Sequence, residues 1–156
     1  MRCDSRRGRE TMDSETIYQA LFDLGAGLTW SPGGALAFAS RRVKTFDDLP
    51  AQPALCQAET DETMSQATGQ VAITTLGASW LIYHQAGRDE DVIPAQTTNA
   101  ILAAVRAVFV DPTDPTFAQT LGGLVHKCWI EGRIQKFQGD LDGQTLIVVP
   151  IKILVP

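Results

Sequence analysis

Apolar side chains recur at a helical interval near the start of the chain. Ile17, Leu21, Leu24 and Leu28 fall at i, i+4, i+7 and i+11, one face of a predicted first helix. Asp13 or Ser14 can cap its free N–H groups, and Glu15 suits the positive end of its dipole. Gly25 and Gly27 mark its last turn, and Ser, Pro and Gly over 30–34 read as a loop. Residues 36–46 then read as a first strand, closed by Asp47-Asp48-Leu49-Pro50, and 54–58 as a short second strand. Over 59–69 the residues are polar and weakly patterned, which predicts a mobile hairpin loop. A third strand follows over 70–84, with Gly77 as a bulge or bend.

The second helix is the clearest element. Pro94 suits its first position, Ile101, Val105 and Val108 line one side with Leu102 and Phe109 beside them, and 111–115 stop it. A fourth strand over 124–137 puts Lys127, Glu131, Arg133 and Gln135 on one side and Cys128, Ile130 and Ile134 on the other. Trp129 breaks that pattern by sitting on the polar side. Asp140-Leu141-Asp142-Gly143 predicts a turn, and 146–155 an almost wholly apolar fifth strand in which Pro150 argues for an edge or a bulge. The predicted order is α-β-β-β-α-β-β. This is an α+β fold with a mostly antiparallel sheet of about five strands and two helices on one face, in one domain over 13–156.

Residues 1–12 stand apart, with four arginines and no aliphatic periodicity before Met12. Two readings stay open. One is a flexible basic arm for an acidic surface or nucleic acid; the other is a stretch added by an upstream start codon. No apolar h-region follows these arginines and no apolar run approaches the roughly 20 residues of a membrane span, so neither export by a signal peptide nor a membrane partner is expected.

Composition narrows the chemistry. The chain has 156 residues, 44% of them hydrophobic, enough for one core without staples. Its net charge of −5 is the wrong sign for a general nucleic-acid binder. Cys3, Cys56 and Cys128 are odd in number and widely spaced, which suits reduced thiols better than disulfides or zinc. His84 and His126 could each pair with a thiol, but no spacing requires it, and His126 with Cys128 supplies only two metal ligands. Gly33-Gly34 and Leu121-Gly122-Gly123 lack the residues of a phosphate loop. No catalytic, cofactor or metal residue is therefore nominated, and the chain is not expected to be an enzyme. Acidic groups cluster at Asp47-Asp48, at 59–62 and at Asp89-Glu90-Asp91, and read as solvated loops or partner-facing patches. Arg41, Arg42 and Lys44 place three cations in the first strand, either an ordinary wet face or a stripe for an acidic neighbour or for DNA.

In order, the Ser40-Arg41-Arg42-Val43 strand, the segment 47–55, the long polar loop and the helix opening Pro94-Ala95-Gln96-Thr97-Thr98-Asn99-Ala100-Ile101 form a recognisable series. Leu121-Gly122-Gly123-Leu124-Val125-His126-Lys127-Cys128-Trp129-Ile130-Glu131-Gly132 and the apolar last strand complete it. Over about 14–156 the chain resembles the small tail terminator or tail completion proteins of tailed bacteriophages and prophages.

That resemblance implies a virion protein of the phage tail and neck, assembled in the host cytoplasm as a hexameric ring. The ring would cap the last ring of tail-tube protein, stop tube growth and offer a surface to the head-completion or stopper protein. DNA would pass through its lumen without sequence recognition, and no cofactor would be involved. On this reading the loops 59–69 and 86–93 meet neighbours, through Asp61, Glu62, Arg88, Asp89 and Glu90, and Arg41, Arg42 and Lys44 face a subunit or the lumen. The alternatives are a stopper, a tube component, or a small cytosolic ligand-binding domain or enzyme.

Overall fold

The computed structural model describes residues 13–87, 89–111, 113–114, 118–138 and 142–156. The arm at 1–12, Cys3, Arg88, and parts of the 111–115 stop and the 140–143 turn lie outside the described residues.

Helix α1 runs Ser14–Ala26. The Asp13 carboxylate caps it by accepting from the Glu15 N–H at 3.1 Å. Ile17, Tyr18, Leu21 and Gly25 are its buried face. Gly27 closes the helix, whereas Gly25 has another role. A Cβ there would come within 2.9 Å of the Trp80 ring, so the glycine lets helix and sheet approach closely. The expected loop at 30–34 is a tight hairpin of β1 (Thr29–Trp30) and β2 (Gly34–Ala35), turned by Gly33 at φ 68°.

The main sheet has six strands: β3 (Phe38–Ser40), β4 (Ala54–Ser65), β5 (Ile73–Gln85), β6 (Lys127–Ile130), β7 (Gln135–Phe137) and β8 (Gln144–Val155). Their order is β3-β4-β5-β8-β6, with β7 also paired to β8. All pairings are antiparallel except β3 with β4. Helix α2 spans Pro94–Val108 and buries Thr98, Ile101, Leu102 and Val105. Both helices pack on one face, against Leu55, Trp80, Ile82, Ile147, Val149, Ile151 and Ile153. The α+β architecture read from the sequence is the architecture of the molecule.

On the other face, Ala54, Cys56 and Tyr83 form a small second core under Phe38, Phe46 and Leu49. The segment between β3 and β4 supplies this cover. Tyr83 donates to the Lys44 carbonyl at 2.8 Å and meets the Phe46 ring edge-on, with centroids 4.9 Å apart.

Four expectations need correction. The first strand is three residues long and ends at Ser40, because the chain must bend at 41–42 to lay Phe46 over Tyr83. The polar stretch 59–65 is strand, not loop, because β5 pairs it through Ser65. The single strand over 124–137 is two strands, broken around Gly132 at φ 111°. Pro150 is inside the sheet, paired with Ser79 on β5. Its carbonyl accepts from the Glu131 N–H at 3.2 Å, so its missing N–H would point the same way, into the gap between β7 and β6. The sheet loses no ladder bond there, which is why a proline is tolerated.

The Leu-Gly-Gly phrase is a turn with three successive left-handed residues: Leu121 at φ 52°, Gly122 at 71° and Gly123 at 88°. Gln119 secures it, donating to the Val108 carbonyl at 2.8 Å and accepting from the Leu121 N–H at 3.0 Å. This lock ties the end of α2 to the start of β6.

Candidate interface

The sequence-nominated groups Arg41 and Asp61 both act where β4 leaves the core, through different partners. From Gln57 inward β4 is buried; from Glu59 outward every residue is exposed. The change coincides with a bulge. Glu59 pairs with Ala78 and Glu62 with Leu76, so Thr60 and Asp61 together oppose Gly77 alone. A Cβ on Gly77 would collide with Asp61 Oδ1 and Thr60 Oγ1, so any side chain here would have to push both aside. The expected irregularity at Gly77 is therefore real, but the extra residue belongs to the partner strand.

Charge pairs hold the bulge. Lys152 on β8 donates to Asp61 Oδ2 at 2.7 Å, and the Thr60 hydroxyl donates to Asp61 Oδ1 at 2.8 Å. These bonds, the lysine's first, hold the Asp61 carboxyl below the usual aspartate range. Arg41, from the bend after β3, reaches back to α1. Its guanidinium grips both carboxylate oxygens of Glu15, donates to Gln19 Oε1 at 3.2 Å and reaches Glu59 Oε1 at 2.8 Å. The forked contact lowers the Glu15 pKa and raises that of Arg41. Arg41 is thus a clamp within the monomer, not a free cation facing a neighbour.

Ser14, Glu15, Tyr18 and residues 59–62 line a shallow groove of about 330 Å³. Tyr18 closes its floor, donating to the Gly77 carbonyl at 3.2 Å. Burial, and then the charges of Glu59, Glu62 and Asp61, push its phenol up to about 12, so it stays a neutral donor. Three of the four groove carboxylates, Glu15, Glu59 and Asp61, have a cation partner. Glu62 has none within ion-pair distance among the described residues. Beyond it the hairpin tip exposes Met64 (71%), Val71 and Ile73.

The other nominated residues lie elsewhere. Arg42 is exposed just after β3, and its backbone N–H donates to Ser40 Oγ. Lys44 contributes its carbonyl to Tyr83. Asp89 accepts from the Asp91 N–H in a local turn at the opposite end of β5, and Glu90 is exposed beside it. Asp61 and Glu62 are strand residues near one end of β5 and Asp89 and Glu90 lie past its other end, so these four expected contacts do not form one patch. Glu15, Gln19, Gly77 and Lys152 were missed as interface-shaping groups. Lys152 had a signal: a single cation alternating with Ile151 and Ile153 marks the wet face of an otherwise buried strand.

The thiols and imidazoles do not converge. Cys56 lies in the small core, on the opposite sheet face from His84. Cys128 is in the main core, and burial pushes its thiol up to about 12. His126 is exposed. Among the described residues no three metal-ligating side chains gather, and no helix is long and apolar enough to cross a membrane.

What the fold and this site define is an α+β domain whose sheet has a charged, exposed edge strand. No protein-family model and no curated protein matches the chain.

Proposed function

We propose that this chain is a structural subunit of a bacteriophage tail, a tail terminator that assembles as a ring on the end of the tail tube. The observation that carries the reading is the distal half of the β4–β5 hairpin. There β5 buries Leu76 and Ala78 and is paired on its far side by β8 through Val155, while the outer strand, Glu59–Ser65 of β4, is exposed throughout, with apolar side chains toward the tip. An exposed edge strand costs conformational entropy that its own burial does not offset within the monomer. It suits a protein whose partners are identical copies, the tube end and the head-completion protein. A head-to-tail contact that closes by rotation makes such a ring, and the ring then ends the tube by steric match. DNA crosses the lumen without base recognition, and no cofactor or chemical step is required.

The test is removal of the coding sequence from a phage that carries it, followed by electron microscopy of the tails. Tubes longer than normal are expected. Tails of normal length that fail to join heads would make the chain a stopper instead, and normal virions would end the structural reading.

A further inference from the structure

We infer that the free outer edge of β4 in one copy seats against the free outer edge of β7 in the next, an acidic edge on a basic one. This rests on the ring reading above and specifies which surfaces close it.

Both edges are unpaired among the described residues. β3 covers only Ala54–Cys56, so β4 from Gln57 to Ser65 has a strand on one side alone. β7 pairs only with β8. The far edge of β6 differs, since Gln119 bridges Cys128 there and accepts its N–H at 2.7 Å. Unpaired strand edges of this kind template pairing with another chain.

Charge selects the pairing. The β4 edge carries Glu59, Asp61 and Glu62, with Glu62 left unneutralised. The exposed β7 region carries Arg133 and Lys136. Two β4 edges face to face would oppose like charges, which destabilises a strand pair. β4 on β7 opposes unlike ones. Each edge also offers apolar surface: Met64 and Ile73 beside β4, and Phe137, 54% exposed, on β7.

The geometry is head-to-tail. β4 and β7 lie on opposite flanks of the sheet, three inter-strand steps or about 14 Å apart. They are also staggered. Through β8 and β5, β7 aligns with Ala54–Cys56, roughly six residues or about 20 Å along the strand from the bulge. A closed ring built on this offset must tilt its strands to the ring axis, as staggered barrels do.

The test measures mass in solution by light scattering for the full chain and for two variants, Glu62→Lys and Arg133→Glu/Lys136→Glu. All substitutions are at exposed positions, and unchanged thermal unfolding confirms that each variant folds. Each variant alone is expected to need at least about fivefold more protein to assemble, because one edge then meets like charge. An equimolar mixture of the two variants restores assembly, since every contact in an alternating ring is again acidic on basic. Rings that persist in both variants overturn the edge assignment and leave the ring reading standing. A silent β7 variant with a defective Glu62→Lys overturns it in favour of a β4–β4 contact. A wild-type chain that stays monomeric at every concentration overturns both readings.

Discussion

One strand, two regimes: the proximal and distal halves of β4 share backbone pairing to β5 but are held by different forces. In the proximal half, Leu55, Trp80 and Ile82 are fully buried, and even the polar groups are internal. Trp80 donates to Gln57 Oε1 at 3.0 Å, and Gln57 donates to the Tyr18 carbonyl at 2.9 Å. In the distal half, β4 from Thr60 through Ser65 is exposed although its β5 partner Leu76 is fully buried, and this outer strand is held by the bulge, the Lys152–Asp61 pair and the Arg41 clamp. Backbone pairing sets where a strand runs, but burial sets how much it contributes to stability. An edge strand can therefore run exposed beside a buried neighbour while adding little stability, and that edge is free to serve assembly.

The comparison breaks first at Trp80. Trp80→Ala should destabilise the fold by about 3–5 kcal/mol, since it opens a cavity under α1 and orphans Gln57. Thr63→Ala in the distal half should stay within about 0.5 kcal/mol. Urea unfolding of the two variants reads the contrast, and equal losses would mean the halves are not distinct. Gly77→Ala comes next. Its methyl meets Asp61 and Thr60, so a loss of about 1–3 kcal/mol is expected. Much of it should return in an Asp61→Gly background, which a double-mutant cycle in thermal unfolding would reveal.

Acid sharpens the contrast further. His84 is buried at the core end of β5, with Nε2 at 2.9 Å from Thr98 Oγ1. The Thr98 hydroxyl proton goes to the Pro94 carbonyl, so Nε2 carries the histidine proton and Nδ1 is an acceptor without a partner among the described residues. Burial lowers the His84 pKa from 6.5. The unfolded chain therefore binds the proton first as pH falls, and stability is complete above pH 6.5 and declines below it, by up to about 1.4 kcal/mol per pH unit. His84→Leu should flatten that slope in unfolding curves taken between pH 7 and 5; an unchanged slope would mean His84 is not its source.

The distal pairs lie lower on the pH scale and have the smallest effect. Glu15 and Asp61 have folded values below their ordinary 4.5 and 3.8, so their contribution is present above those values and lost as pH falls through the depressed ones. Both are exposed, so Lys152→Met should shift thermal unfolding only slightly, and salt should erase the difference. A large, salt-independent shift would show that the bulge is part of the cooperative core.

Much of the fold was legible along the chain. α1, α2 and β8 carry their own period, caps and apolar runs, so local physics alone announces them. The distal half of β4 was not legible. Glu59, Thr60, Asp61 and Glu62 show no alternation because neither of their faces is buried, and only β5 makes them strand. The candidate site was legible in part. Arg41 and Asp61 stood out as charges, but their partners are 26, 18 and 91 residues away, Glu15, Glu59 and Lys152 respectively.

By itself, then, the sequence determined two amphipathic helices, the long apolar last strand and the α+β class, because periodicity and capping act over a few residues. Tertiary structure alone decided that Arg41 is a clamp, that Pro150 sits opposite a gap, and that β4 and β7 have edges unpaired among the described residues. Each of these depends on which strand lies beside which, and strand order is set by long-range packing that no local pattern encodes.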